Sequence, residues 1–251
     1  MNIFLRKVRV ALTPKDWLLK ATLNNGAIVC GKNRKGYGGR GIYIFRDQAE
    51  PEFEHLEKFI ESDDVFVDVG ANTGIYTMKA AKKIRPDKGH VISVEPFPDV
   101  FAMLYHNVQV NGFTHVRLRN FCAAARTEAT RLYLNFGKPN SFSILQRDKE
   151  APFLSVLSVA LDDLFAWEKL TRLNFLKIDA EGAEPEILLG GTKIIAASRP
   201  IIQMEITISD LPLKLDNYTG FQCPGGVNKM WIPNESPKLG VPKDLGWQKL
   251  N

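Results

Sequence analysis

Short apolar runs alternate with helical spacing in the middle of the chain. The run Val65–Gly70 is almost wholly apolar and ends in glycine, which is typical of a buried parallel strand. Apolar residues then recur at helical spacing over Ile75–Ile84, followed by a second apolar run over His90–Glu95 and a second helical stretch over Pro98–Val110. Strands that alternate with helices in this way predict βαβ units and a parallel sheet.

The alternation continues toward the C-terminus. The further elements predicted are a strand from Val116, strands at Arg131–Phe136 and Ser155–Val159, a helix at Leu161–Leu170, a strand at Asn174–Asp179, a helix from Pro185, a strand at Pro200–Ile206 and an edge strand at Asn228–Ile232. Residues 1–35 are expected to be irregular, and Ile42–Phe45 is expected to be a short strand. The fold class predicted is therefore α/β, with a doubly wound, mostly parallel sheet and helices on both faces.

Composition narrows the class of protein. With 251 residues, 45% hydrophobic and 24% charged, the chain has the size and content of one large globular domain. No apolar run approaches the roughly 20 residues of a bilayer span, and basic residues interrupt the N-terminal apolar stretch, so we expect neither a membrane span nor a signal peptide. Cys30, Cys122 and Cys223 are widely spaced, which predicts reduced thiols in a cytoplasmic protein.

The net charge of +5 is uneven along the chain. Residues 1–40 hold nine basic side chains and one acidic side chain. Such a segment can attract an acidic or phosphorylated substrate, or a nucleic acid. The alternative is a solvated terminus, because no aromatic residues alternate with the charges as base stacking requires.

The segment Asp68–Gly74 lies where the first predicted strand turns into the first helix, and its sequence is Asp-Val-Gly-Ala-Asn-Thr-Gly. Glycines at such a turn let a ligand approach the backbone closely. Their spacing is G-x-x-x-G, whereas nicotinamide and flavin sites have G-x-G-x-x-G. Glu95 ends the second predicted strand, where a carboxylate can accept hydrogen bonds from both hydroxyls of a ribose. The two features together predict a nucleoside-binding site.

Two carboxylates, Asp179 and Glu181, follow a predicted central strand, at the sheet edge where ligands bind in open α/β folds. They are candidates for a general base, for ligands of a divalent metal or for contacts to a cofactor's ammonium group. Capping of the next helix is the structural alternative. Lys177 interrupts the apolar strand as a charge partner or a strand-edge lysine, and Glu205 is expected to join the same acidic cluster.

These segments resemble class I methyltransferases, and among them the FkbM type. Val67–Gly74 is similar to the first motif of that class, and Val94–Pro96 to the second. Leu176–Glu184, with the sequence Leu-Lys-Ile-Asp-Ala-Glu-Gly-Ala-Glu, resembles the hallmark of FkbM-type methyltransferases. Leu161–Leu164 and Gln203–Ile206 match the family's order, and the resemblance covers residues 62–208.

The resemblance implies a seven-stranded sheet with one antiparallel strand near its edge, and S-adenosylmethionine over the carboxyl ends of the strands. The cofactor-binding residues that it implies are Asp68, Gly70, Ala71, Asn72, Thr73, Gly74, Tyr76, Glu95, Pro96, Phe97, Asn120, Cys122, Ala123 and Asp179. Asp179 and Glu181 are the implied catalytic residues. A divalent metal is compatible with these carboxylates, but nothing in the sequence indicates one.

The activity implied is S-adenosylmethionine-dependent methyl transfer to a hydroxyl of a sugar, a polyketide or another small molecule or glycan. Two alternatives remain: a nucleic-acid methyltransferase that uses the basic N-terminal arm, and a catalytically inert nucleoside-binding partner subunit. The domain organisation predicted is a basic N-terminal extension or cap (residues 1–50), an S-adenosylmethionine-binding catalytic domain (51–210) and a proline-rich segment (211–251) that adds an edge strand to the same domain.

Overall fold

The computed structural model describes residues 2–34, 38–134, 142–145, 150–206 and 215–250. The strands are β1 (Leu18–Thr22), β2 (Ile28–Lys32), β3 (Val65–Val69), β4 (His90–Val94), β5 (Val116–Arg119), β6 (Cys122–Ala123), β7 (Glu128–Leu134), β8 (Phe142–Ser143), β9 (Phe153–Val159), β10 (Phe175–Ile178), β11 (Ile201–Met204), β12 (Tyr218–Gln222), β13 (Lys229–Pro233) and β14 (Gln248–Lys249). The α-helices are α1 (Ile3–Leu12), α2 (Gly39–Phe45), α3 (Pro51–Glu54), α4 (Ile75–Lys83), α5 (Pro98–Asn111), α6 (Leu161–Glu168), α7 (Glu184–Gly190), α8 (Thr192–Ser198) and α9 (Val241–Asp244).

The main sheet confirms the predicted α/β class. Its strand order is β14-β12-β13-β11-β10-β3-β4-β5. The run from β11 to β5 is parallel, whereas β13 is antiparallel to both of its neighbours and β14 is antiparallel to β12. In the described part of the chain the sheet thus has the seven strands expected and one more, the two-residue edge strand β14.

Each face of the sheet carries its own hydrophobic core, because successive residues of a strand point to opposite sides. Phe66 and Phe175 stack with ring centroids 5.0 Å apart on the face covered by α4, α5 and the β1–β2 hairpin. Val67 and Leu176 point to the other face, which α6, α7 and α8 cover. The helices therefore lie on both faces, as predicted, and leave the carboxyl ends of the parallel strands open between the two layers.

Strands β7 and β9 were predicted, but not their partners. They pair with each other and with β6 and β8 in a separate four-stranded sheet of order β6-β9-β7-β8. The end of the predicted strand Arg131–Phe136 lies outside the described residues. This sheet brings Cys122, Ala123 and Ser143 to the open end of the main sheet, next to Val94.

The N-terminal region is more ordered than its sequence suggested. Residues 1–35, expected to be irregular, contain α1 and the antiparallel hairpin β1–β2, and Ile42–Phe45 belongs to helix α2 rather than to a strand. Ile42 and Tyr43 are both buried, and two consecutive residues can pack on one side of a helix but not on one face of a strand. The hairpin contributes buried residues to the core that covers α4.

A strand does form at the predicted Asn228–Ile232, but it does not lie at the edge of the sheet. Strand β13 lies inside the sheet, between β11 and β12, and Met230, Trp231 and Ile232 are all buried. The strand beyond it, β12, was not predicted in the proline-rich segment, where Pro233 only ends β13. The boundary predicted between residues 210 and 211 lies outside the described residues, and the three-segment division stays a prediction.

Candidate functional site

The glycine turn between β3 and α4 is fixed by a close backbone approach. Gly70 has a φ of +70°, and a Cβ built on it would lie 1.8 Å from the carbonyl oxygen of Asp179. Only glycine tolerates both conditions. The backbone N–H groups of Gly70 and Ala71 both donate to the carbonyl of Val94, each at 3.0 Å. The turn is therefore held between the ends of β4 and β10.

A row of buried polar side chains crosses the sheet beneath this turn. Ser93, Asp68, Lys177 and Gln203 are register partners on β4, β3, β10 and β11, and all four are buried. The N–H and hydroxyl of Thr77, in α4, donate to Oδ2 of Asp68 at 3.1 and 2.7 Å. The row thus joins the start of α4 to the central strands, and Asp68 serves this joint.

Lys177 is the central cation of that row. Its Nζ lies 3.3 Å from Oδ2 of Asp179 and 3.5 Å from Oδ1 of Asp68, and 5.0 Å from the ring centroid of Tyr76. Burial lowers the pKa of this ammonium, but the nearby carboxylates, Asp179 foremost, raise it by more, so the net shift is upward. Lys177 therefore stays charged at neutral pH and acts as a charge partner, one of the two roles expected. Because β10 lies inside the sheet, it is not a strand-edge lysine.

Glu95 lies at the carboxyl end of β4 and is buried. Its Oε2 accepts a hydrogen bond from the N–H of Asn72, and its Oε1 accepts one from the N–H of Phe97, each at 2.9 Å. Burial raises the pKa of Glu95 to about 7, although these two N–H groups lower it. A carboxylate has about four acceptor sites, so this one can still accept hydrogen bonds from hydroxyl groups beside it.

A first cavity of about 140 Å³ opens beside Glu95. Its lining comes from the ends of β3, β4 and β10 and from the second sheet. The lining residues are Val69, Gly70, Asn72, Val94, Glu95, Pro96, Val100, Cys122, Ala123, Leu132, Ser143, Ile144, Asp179, Ala180, Glu181, Ala183 and Ile187. The combination of an apolar slot with a few polar groups suits a nucleoside better than a free sugar.

A second cavity of about 390 Å³ lies on the other side of the glycine turn. It is lined by Arg34, Gly38, Arg40, Gly41, Ile42, Ala49, Glu50, Gly70, Ala71, Asn72, Thr73, Ile75, Tyr76, Lys177 and Asp179. Within it the Tyr76 hydroxyl donates to Oε2 of Glu50 at 2.6 Å and accepts from Nε2 of Gln203 at 2.9 Å. Burial raises the pKa of Tyr76 and that of Glu50, so both groups hold protons more tightly than they would in water.

The two cavities meet at Gly70, Asn72 and Asp179, which line both. The Asp179 side chain is 49% exposed. Glu181, with a φ of +52°, lines the first cavity only. The turn after β10 therefore places one carboxylate at the boundary between the cavities and the other within the first.

The methyltransferase FkbM domain family matches residues 68–216 of the chain. The chain belongs to the FkbM methyltransferase family. Methyltransferases of this family use S-adenosylmethionine, which is therefore the cofactor of this chain. The match includes the glycine turn, Glu95 and the turn after β10, so it covers the part of the molecule in which both cavities meet.

Individual proteins and one solved structure are similar to parts of this chain. Methyltransferase 1 of Beauveria bassiana is 28% identical over 171 residues, which cover 56% of this chain and 67% of that protein. The hexuronic acid methyltransferase AglP of Haloferax volcanii is 26% identical over 143 residues, 57% of this chain and 56% of that protein. The crystal structure of a methyltransferase FkbM from Methylobacillus flagellatus aligns with 79% of this chain and 55% of that chain, at 15% identity and a TM-score of 0.49. The chain thus matches about half to two thirds of each of these three proteins.

The residues of the first cavity fit the cofactor of an FkbM methyltransferase. The Glu95 carboxylate can accept hydrogen bonds from ribose hydroxyls, and Pro96, Cys122 and Ala123 form an apolar wall beside it. Burial raises the pKa of the Cys122 thiol to about 12, so this wall remains uncharged. Gly70 and Asn72 of the glycine turn also line this cavity, so a ligand in it would lie against the backbone of the turn.

The predicted cofactor residues divide between several places. Those on the first cavity are Gly70, Asn72, Glu95, Pro96, Cys122, Ala123 and Asp179, whereas Ala71, Thr73 and Tyr76 line the second cavity only. Asp68, Gly74, Phe97 and Asn120, all among the described residues, line neither of the two. Asn120 instead donates to the carbonyls of Glu95 and Pro96 at 2.8 and 3.1 Å. It thus supports the cavity wall from outside.

Several lining residues were not predicted. Glu50 and Arg40 lie far from the family motifs in sequence, and only the folding of residues 38–50 over the glycine turn brings them to it. Leu132 and Ile144 come from the second sheet, whose position no sequence pattern indicated. Glu205 does not join Asp179 and instead lines a separate cavity.

Neither a metal site nor a membrane span is found in the described ranges. No group of three or more histidine, cysteine, aspartate or glutamate side chains there is arranged to hold a metal ion. Likewise, none of the helices there has the length and apolar character needed to cross a bilayer. All three cysteines are free and buried, and the cytoplasmic location predicted from them stays a prediction.

Proposed function

We propose that this FkbM methyltransferase transfers a methyl group to a hydroxyl of a sugar or another small polar molecule. The first cavity holds the cofactor, the second holds the acceptor, and Asp179 takes up the hydroxyl proton. The observation that carries the proposal is the position of Asp179, whose carboxylate lines both cavities where they meet. A general base must lie within hydrogen-bond reach of the acceptor hydroxyl, and that hydroxyl must itself lie next to the methyl group of the cofactor.

The lining of the second cavity supports a hydroxylated acceptor. Arg40 and Lys177 supply hydrogen-bond donors, Glu50 and Asp179 supply acceptors, and the half-buried Ala49 and Ile75 supply apolar surface. A sugar needs this mixture, because each of its hydroxyls both donates and accepts while its ring carbons pack on apolar groups.

The basic residues of the second cavity favour an acceptor that also carries an acidic group. Arg34 and Arg40, both from the basic N-terminal segment, line it together with Lys177. Nε of Arg40 donates to Asn33 at 2.7 Å, which holds the guanidinium in place at the cavity wall. The relative AglP is named a hexuronic acid methyltransferase, and a hexuronic acid combines hydroxyls with a carboxylate. An acidic sugar is therefore the first acceptor to test.

The chain's own residues would divide the chemistry as follows. Bound S-adenosylmethionine supplies a methyl group that its positive sulfonium makes electrophilic. Lys177, charged and buried, binds Oδ2 of the Asp179 carboxylate at 3.3 Å. The other carboxylate oxygen of Asp179 is then left for the acceptor at the boundary between the cavities. An acceptor hydroxyl has a pKa far above 7 and must lose its proton as the new bond forms, and Asp179 accepts it. Glu181 has no access to the second cavity and is proposed to contact the cofactor instead.

The test compares Asp179→Asn with Glu181→Gln in the transfer of a labelled methyl group to glucuronic acid, galacturonic acid and glucose. Asp179→Asn should lower kcat by roughly 100-fold or more, as expected for loss of a general base, while the affinity for S-adenosylhomocysteine stays within about threefold. Glu181→Gln should chiefly weaken that affinity. Full activity of Asp179→Asn contradicts its role as the base, and absence of transfer to all three sugars by the folded wild type contradicts the sugar acceptor.

A further inference from the structure

Helix α1 exposes an apolar face to solvent. Phe4 is 70% exposed and Leu12 is 80% exposed, and Leu5 and Val8 are exposed between them. At 3.6 residues per turn these four side chains fall within an arc of about 100° on the helix. Helices on protein surfaces normally turn such an arc toward the core, whereas none of the residues of α1 is buried.

The side of α1 that faces the protein carries Arg6 and Val10, the half-buried residues of the helix, and Arg9 lies between this side and the apolar face. Nη1 of Arg6 donates to the carbonyl of Ile44 at 2.9 Å. The guanidinium of Arg9 lies 6.0 Å from the ring centroid of Tyr43. The helix is therefore attached by the side that carries Arg6 and Val10, and Phe4, Leu5, Val8 and Leu12 lie on the outward side.

The surroundings of the apolar face are basic. Lys7 and Arg9 flank it on the helix, Lys15 and Lys20 follow in the sequence, and all four are exposed. The sole acidic side chain of the first 40 residues, Asp16, is paired with Arg34 at 2.7 Å. Two further apolar residues, Trp17 and Leu18, are exposed just beyond the helix. An apolar strip rimmed by lysine and arginine is the pattern of helices that lie in the interface of an anionic lipid bilayer.

We propose that α1 docks the protein on the surface of a membrane that contains anionic lipids. Phe4, Leu5, Val8 and Leu12 enter the boundary between headgroups and acyl chains, and the basic rim contacts the lipid phosphates. A second copy of the chain fits this face less well. In a twofold-symmetric contact the same surface meets itself, so Lys7 and Arg9 would approach like charges.

The proposal is independent of the methyl acceptor and of the cofactor site. The experiment measures co-sedimentation of the full chain with phosphatidylcholine vesicles, prepared with and without phosphatidylglycerol. The test variant is Phe4→Ser with Leu12→Ser, two positions whose exposure spares the fold. The matched control is Tyr105→Ser with Leu189→Ser, which removes two exposed apolar residues from helices α5 and α7. Thermal unfolding verifies that both variants are folded.

The wild type and the control should bind the vesicles that contain phosphatidylglycerol, and added salt should weaken this binding. The test variant should bind at least roughly tenfold more weakly than the wild type, because it lacks the two apolar side chains that enter the lipid. Equal binding of the test variant and the wild type would overturn the proposal, as would absence of wild-type binding. A dimer in light scattering that the test variant dissolves would assign the face to a second copy instead.

Discussion

Gly70→Ala tests whether the glycine turn is fixed by contact with the end of β10. The substitution places a methyl group 1.8 Å from the carbonyl oxygen of Asp179 and requires alanine to adopt a φ of +70°. Gly112 offers a matched control. Its φ is +66°, and a Cβ built there meets no atom within 4 Å.

The two variants share one cost and differ in the other. A side chain in the left-handed region costs about 1–2 kcal/mol at either position. At Gly70 the methyl group must also gain more than an ångström of clearance, since real Cβ contacts essentially never fall under 3.0 Å. Overpacking of this kind costs about 1–3 kcal/mol. Gly70→Ala should therefore lower the free energy of unfolding by about 3 kcal/mol or more, and Gly112→Ala by about 1 kcal/mol.

Urea unfolding measures both losses, and calorimetric titration with S-adenosylhomocysteine measures their effect on the first cavity. Gly70→Ala should weaken binding sharply, because the carbonyl of Asp179 can give way only by moving the boundary of the cavity. Gly112→Ala should bind like the wild type. If Gly70→Ala loses no more stability than Gly112→Ala, the close approach between the turn and β10 is refuted.

Two further predictions concern buried charges. Lys177→Met leaves Asp68 and Asp179 without their cation, and Lys79→Met leaves Asp47, its partner at 2.8 Å, likewise unpaired. Each should lower the free energy of unfolding by about 3 kcal/mol or more in urea titrations, but only Lys177→Met should also abolish methyl transfer, and equal loss of activity in both would contradict this. Burial raises the pKa of Glu95 from the usual 4.5 to about 7 in the folded chain. The stability of the wild type relative to Glu95→Gln should therefore fall as the pH rises from about 4.5 to about 7. The affinity of the wild type for S-adenosylhomocysteine should increase over the same pH range, as Glu95 loses its proton. A pH dependence identical in Glu95→Gln, measured by unfolding and calorimetry, would exclude Glu95 as its source.

The central strands and their helices could be predicted because a strand that is buried on both faces has a nearly continuous run of apolar residues. The run before Gly70 is apolar apart from Asp68, and β10 is apolar apart from Lys177. The same reasoning places Glu95 and Asp179 at one edge of the sheet, since parallel strands end together. Which groups these two side chains contact depends on the tertiary fold and cannot be predicted from local sequence patterns.

The N-terminal hairpin has a sequence signal of its own, although the hairpin was not predicted. Leu19 and Ala21 alternate with exposed residues in β1, and Asn25 and Gly26 form the turn before β2, with Gly26 at a φ of +86°. An Asn-Gly pair between alternating strands is a strong short-range indication of a hairpin. The second cavity has no such sequence signal, because only the tertiary fold brings Arg40 and Glu50 to the cavity that Lys177 also lines.

The measurement that most directly tests the cofactor site is calorimetric titration of S-adenosylhomocysteine into the wild type, Glu95→Ala and Glu168→Ala. Glu168 is also a buried carboxylate, but it pairs with Arg117 and Arg119 and lies on neither cavity. The wild type should bind, and Glu168→Ala should keep the wild-type affinity. Glu95→Ala should bind at least roughly tenfold more weakly, because hydrogen bonds to a charged group are lost. Absence of binding by the folded wild type, or equal affinity in all three, would contradict the assignment of the first cavity.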